Sequence, residues 1–253
     1  MSVDLPLSAC LAWWLTAWLR GFEVTDHVLD ALSDGELGQV VEGLAGASGS
    51  AGVAADGDAA GTALVDLLRH ARRSGATSAG LALPIEGDLL GLGGPRALNE
   101  AALDAGEAVV CGPWAVVPRV TGEVAHWQVL AAAPRQLPDV GEADRALRAA
   151  MIDTARLLAD LDVARWRPEA ADALMNLRHL PVLTAPQGTP RRCVDLAARG
   201  LQGWAIAELA LADDAGAVDA HQIDARRAAI RPLERAARRA LVAAFSPEVW
   251  PDH

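Results

Sequence analysis

Between residues 86 and 99 the chain reads EGDLLGLGGPRALN, a stretch that combines two carboxylates, four glycines, an arginine and an asparagine. Ala79, Leu81, Leu83 and Ile85 alternate just upstream, as a half-buried strand does. Glu86 and Asp88 therefore fall beyond a strand end, where ligands of α/β sheets often sit. Two carboxylates there could hold a cation or act as a base; a polar turn in which Asp88 bonds local backbone is the simpler reading. Gly91, Gly93 and Gly94 precede a helix predicted over 96–105, and backbone N–H groups at such a start can cradle an anion. Arg96 and Asn99 could face that anion. The ligand-binding candidates are thus Asp88, Gly91, Gly93, Gly94, Arg96 and Asn99. The pattern GLGGP is not the dinucleotide fingerprint GxGxxG, and no P-loop lysine follows. Pro95 has no N–H to give, and the glycines suit left-handed backbone or close packing equally well.

Elsewhere the chemistry is sparse. All 22 basic residues are arginine and there is no tyrosine, which removes Schiff-base lysines and tyrosine acids. Cys10, Cys111 and Cys193 are odd in number and far apart, so neither a disulfide framework nor a zinc site is expected, and a cytoplasmic location fits. Cys111 reads as buried and inert. The six histidines show no metal-ligand spacing. His126 reads as a surface or edge residue, and Ser48 and Ser50 lack the nucleophile elbow. Glu208 falls on the apolar side of a helix and should be paired, an arginine of the last helix being its natural partner. No catalytic residue, metal or cofactor is assigned.

Charge is the stronger signal. The net charge is −11, which disfavours generic binding along a nucleic-acid backbone. Residues 219–245 nevertheless hold six arginines against three carboxylates, a local +3 that leaves the rest near −14. Arg227, Arg231, Arg235 and Arg239 recur every four residues and make a basic stripe on one helix face. The stripe could meet acidic helices of its own fold, with Asp153 and Asp160 as partners. It could also meet an acidic protein or a nucleic acid. Near the N-terminus, Leu7, Leu11, Trp14, Leu15, Trp18 and Phe22 mark one side of a helix over 8–20. That apolar run is too short for a membrane span and lacks the basic region of a signal peptide. It reads as a core or interface helix, with peripheral membrane attachment the lesser alternative. Trp14, Trp18, Arg227, Arg231, Arg235 and Arg239 are the interface candidates, since aromatic and arginine side chains are enriched at binding hot spots.

The elements that must position these residues follow from periodicity. Helices are expected over 25–45 and 62–74, around a flexible loop at 46–61. Strands are expected between 78 and 133, with a hairpin turn at Thr121-Gly122-Glu123. His126 and Trp127 should then point to opposite faces. From 141 onward the pattern is helical, with helices to about 161, over 168–178, 191–213 and 219–245. Residues 180–190 connect two of them. Pro232 is expected to kink the last helix or start a new segment. The expected fold is α+β. A small four-stranded mixed or antiparallel sheet with helices occupies 1–135, and an antiparallel helical bundle occupies 141–247. Helix 8–20 could pack on the bundle to make one body.

The run LPIEGDLLGLGGPRALNEAALDAGEAVV resembles a group of uncharacterised proteins from high-GC actinobacteria, which share LPxxGD, GLxGP, AGEAVV and an Arg/Ala-rich last helix. The resemblance implies a bacterial cytoplasmic protein and carries no chemistry. A non-catalytic role through protein–protein contact, as a regulatory or accessory subunit or by self-association, is the leading expectation. A small-molecule or anion site at the turn 86–99, and nucleic-acid binding by the arginine stripe, are the alternatives.

Overall fold

The computed structural model describes residues 5–33, 38–44, 57–160, 182–212 and 220–251. Within them the fold is α+β. Two helices, α1 (Leu7–Leu19) and α2 (Thr25–Ser33), lead into strand β1 (Gly38–Glu42). Helix α3 (Gly57–Arg73), β2 (Gly80–Ala82), α4 (Arg96–Ala105), β3 (Ala108–Cys111), β4 (Trp114–Thr121) and β5 (Val124–Ala131) follow. The C-terminal half is helical, with α5 (Val140–Asp160), α6 (Arg191–Ala212) and α7 (Ala220–Ala244). The helix expected over 168–178 lies outside the described residues, as does most of the loop expected at 46–61. Residues 57–61 of that loop are helical, in α3.

The sheet has five strands, in the order β1-β5-β4-β3-β2, and not four. The extra strand is β1, whose sequence was assigned to a helix over 25–45. It pairs parallel with β5, Gly38 opposite Val124 and Val41 opposite Trp127, while the other ladders are antiparallel. Val40 and Val41 suit extended backbone, but the pairing partner lies far away in sequence, so local periodicity does not reveal it. Trp127 Nε1 donates to Gln39 Oε1 at 2.7 Å, and Gln39 Nε2 donates to the Leu32 carbonyl. These bonds satisfy a buried indole and a buried amide.

The two faces of the sheet are covered differently. Val109, Cys111, Val116 and Trp127 pack against Leu11 and Leu15 of α1 and Leu64 and Leu67 of α3. Ala108, Val110, Ala115 and Val117 pack against Leu98 and Ala102 of α4. Strand alternation explains this division, since neighbouring residues of β3 and β4 point to opposite faces.

In the helical half, Gly200 and Gly203 of α6 let α7 approach closely. A Cβ on Gly200 would meet Leu241, and one on Gly203 would meet Ala237 and Leu233, so the two helices run in opposite directions. Leu147 of α5 also covers Gly203. Helix α7 continues through Pro232 with no new segment starting there. Pro232 faces solvent between Ile230 and Leu233, which are buried. Their packing outweighs one lost backbone hydrogen bond.

Helix α1 belongs to both halves. Leu11, Leu15 and Trp18 join the core between sheet and helices, whereas Ala9 and Trp13 join the core of the bundle. Trp13 stacks on Phe245 with ring centroids 4.0 Å apart and donates through Nε1 to the Ala244 carbonyl. A helix buried on nearly every side is a central element rather than a surface one. At its far end Phe22 lies over Gly188, and Glu23 accepts the Gln187 N–H at 3.0 Å. That hydrogen bond, followed by the one from His27, holds the Glu23 carboxyl below its usual range.

The start of α1 is capped from a distance. Pro6 offers no side-chain cap, and Glu107 Oε2 accepts the Ser8 N–H at 2.8 Å instead. Burial pushes the Glu107 carboxyl up despite this bond and a second from Leu7. A raised folded value means that the native state holds its proton more tightly than the unfolded chain. The contribution to stability is greatest below the ordinary glutamate value of 4.5 and declines as pH rises through the raised value. Glu107→Gln keeps an acceptor without the buried charge. It should flatten that part of the stability profile, while Glu107→Ala should cost about 1 kcal/mol as a lost cap. Denaturant unfolding across pH 4–8 is the check, and an unchanged slope in the glutamine variant would refute the assignment.

Candidate functional site

The glycine-rich turn forms two tight reversals. Ile85 and Asp88 exchange backbone hydrogen bonds at 3.0 and 2.9 Å around Gly87, whose φ is +80°. The Leu83 N–H then donates to the Leu90 carbonyl. Gly91 has φ +83° and lies against β2, so that a Cβ there would stand 2.9 Å from the Leu81 oxygen. A Cβ on Gly93 would overlap the Pro134 carbonyl. The Ala133 N–H donates to the Gly94 carbonyl at 2.9 Å, and the Gly94–Pro95 peptide is cis. Gly91 makes room for β2, and Gly93 for the protein's own Ala133 and Pro134.

Two buried arginines complete this packing. Arg135, with a side chain 6% exposed, donates to the carbonyls of Leu81 (2.9 Å) and Gly91 (3.1 Å) and pairs with Glu248 at 2.6 Å. Arg238 of α7, 3% exposed, donates to the Leu83 carbonyl (3.2 Å) and to Asp88 Oδ2 (2.9 Å). The Leu81 N–H donates to the Phe245 carbonyl. The outer edge of β2 is thereby closed by the end of α7, which protects an edge strand from adventitious pairing.

The six turn candidates are therefore differently placed. Asp88 is the partner of Arg238, Gly91 and Gly93 lie against chain, and the Gly94 carbonyl accepts from Ala133. Arg96 is exposed and pairs with Glu100 at 2.6 Å. Asn99 is partly buried, and its Oδ1 has no hydrogen-bond partner among the described residues. Asp88 and Arg96 thus have different partners, Arg238 and Glu100. Sequence reading missed Arg135 and Arg238. The residues Ala236, Ala237 and Ala240 around Arg238 were the available signal, because small neighbours make room for a long buried side chain.

The thiols of Cys111 and Cys193 are not activated. Burial pushes Cys111 up to about 12 and Cys193 to about 11. Glu208 is exposed and accepts from Trp204 Nε1 at 2.8 Å, so its partner among the described residues is an indole on its own helix. His126 Nδ1 lies 3.2 Å from Glu42 Oε1, on the face opposite the buried Trp127.

The interface candidates also separate. Trp18 is 8% exposed, donates through Nε1 to Thr25 Oγ1, and carries the Arg72 guanidinium 3.9 Å from its ring. Trp14 is partly buried against the same core. Arg227, Arg231 and Arg235 are exposed, and Arg239 is partly so. No ion pair joins any of the four among the described residues. Asp153 pairs instead with Arg156 of its own helix at 3.6 Å, and Asp160 lies beyond the described side chains. Among the described side chains of this helix, Arg238 is the arginine that turns inward.

Two family models match the chain: "Rv1486c-like protein, N-terminal domain" over residues 8–142 and "Rv1486c-like protein, C-terminal domain" over 141–242. Two relatives from Mycobacterium tuberculosis, uncharacterized protein Rv1486c of strain H37Rv and uncharacterized protein MT1533 of strain CDC 1551, are each 32% identical to it. Each alignment covers 97% of this chain and 99% of the relative. No solved structure matches.

Proposed function

The chain belongs to the Rv1486c-like family, and we propose that it is a non-catalytic cytoplasmic protein that docks an acidic protein partner through the arginine face of α7. The observation that carries this reading is the exposure of Arg227, Arg231 and Arg235 with no carboxylate in ion-pairing distance among the described residues. Four helical residues rise about 6 Å, so the three guanidinium groups sample a strip about 12 Å long. That strip matches carboxylates spaced four residues apart on a partner helix. Arginine forks favour such bidentate pairing.

A protein partner fits better than a nucleic acid. The net negative charge elsewhere would repel a long polyanion, whereas a short acidic segment meets only the strip. The turn 86–99 adds nothing to this reading, because protein groups occupy it. Nor does α1, since Trp18 is committed to the core. Free cysteines at positions 10, 111 and 193 suit a reducing compartment. Among the described residues no helix is long and apolar enough to cross a membrane.

The test is capture from native extract with wild type and with Arg231→Glu/Arg235→Glu. Both residues are exposed, so the variant should stay within about 0.5 kcal/mol of wild-type stability. A stoichiometric acidic protein retained by wild type and lost by the variant is expected, with no shift of duplex DNA at 50 mM salt. Equal retention by both proteins, or DNA binding that the variant abolishes, would overturn the reading.

A further inference from the structure

Residues of α1, α2 and α3 line an open cleft of about 370 Å³. Its size lies at the lower end of small-molecule sites. Leu68, 2% exposed, and Val65 supply an apolar floor. Trp18 and Thr25 supply a wall whose polar atoms are already joined, the indole N–H donating to the threonine hydroxyl at 3.1 Å. The rim is formed by Arg69, Arg72 and Arg73, and no acidic residue lines the cleft among the described residues.

The three arginines are not equivalent. Arg69 is held by Asp66 at 3.0 Å. The Arg72 Cζ stands over the Trp18 ring, 3.9 Å from its centroid, a contact that restrains the guanidinium without neutralising it. Arg73 has no carboxylate partner among the described residues. Basic residues in the last turn of α3 suit the helix dipole. The dipole accounts for their charge. It does not account for a guanidinium fixed on an indole beside an apolar floor. The first turn of α2 opens at Thr25 on the same cleft, and Asp26 in that turn offsets the positive end of the helix.

We infer that this cleft binds a small amphipathic anion, a carboxylate or phosphoryl group carried on an apolar ring or chain. The oxyanion meets Arg72 and Arg73, and the apolar body lies over Val65 and Leu68. Preorganisation by Trp18 is what raises Arg72 above an ordinary surface arginine, because little rotamer freedom remains to be lost on binding. The site shares no residue with the arginine face of α7, so either assignment can fail alone.

Titration of the full chain with 2-naphthoate, followed by calorimetry and by ring-proton NMR, tests the inference. The neutral analogue 2-naphthalenemethanol and inorganic phosphate are the comparison probes. Saturable 1:1 binding of 2-naphthoate is expected, at least tenfold tighter than either comparison probe. Arg73→Gln, which touches no aromatic ring, should weaken naphthoate at least fivefold with the melting temperature unchanged. Arg72→Lys keeps the charge and loses the planar fork, and should weaken it by a similar factor. Absence of saturable naphthoate binding, equal binding of the neutral analogue, or indifference to both variants would overturn the proposal.

Discussion

Replacing Trp13 with alanine is expected to cost about 3–5 kcal/mol, the range for truncating a fully buried large aromatic. Trp13 is 1% exposed and lies in the bundle core, although α1 precedes the sheet in the chain. Its ring stacks on Phe245, and its indole N–H donates to the Ala244 carbonyl. The loss therefore includes packing, an aromatic pair and a buried hydrogen bond. Trp13→Phe keeps the stacking and loses the donor. The Ala244 carbonyl retains a second donor in Trp250 Nε1 at 2.9 Å, so that variant should cost much less. Denaturant unfolding monitored by far-UV circular dichroism gives both values. Because α1 contributes to two cores, a single transition at a lower midpoint is expected for the alanine variant. A loss below 1 kcal/mol would show that α1 does not tie the halves together.

Arg238→Leu should cost about 2–4 kcal/mol. Breaking a buried ion pair costs roughly 3–5 kcal/mol when the surviving charge is stranded. Asp88 is 39% exposed, so water can take over part of its solvation and the lower range applies. The Leu83 carbonyl still loses a donor inside the fold. Asp88→Ala leaves the opposite problem, a guanidinium 3% exposed with a carbonyl as its remaining acceptor. It should be at least as damaging. Asp88→Asn keeps an acceptor and should be milder. The double variant Asp88→Ala/Arg238→Leu should recover more than 1 kcal/mol relative to the sum of the singles, as coupled neighbours do. Strict additivity would mean that the two side chains act independently.

The same pair changes the meaning of the most conspicuous stretch of sequence. EGDLLGLGGPR has the composition of a ligand loop, and glycines do allow a backbone to approach something closely. Here the things approached are β2 and residues 133–134, with the ends of Arg135 and Arg238 as the polar fill. Composition identifies the need for space. It cannot say whether a ligand or another part of the chain occupies that space.

Local order determined much of the architecture. Helices α4, α6 and α7 lie within a residue or two of their expected bounds, because caps, breakers and apolar periodicity act over a few residues. The turn at Gly122, with φ +60°, and the strands on either side were legible for the same reason. The arginine stripe was legible as a stripe. What only tertiary structure decided were pairings across long separations: β1 on β5, Trp13 on Phe245, Arg238 on Asp88 and Arg72 beside the α1–α3 cleft. Two arginines three residues apart on α7, Arg235 and Arg238, are indistinguishable as letters. One faces water and the other is buried, although positions three apart lie only about 60° apart around a helix, so the edge of the buried face falls between them. Where that edge falls is set by packing, and sequence periodicity alone does not contain it.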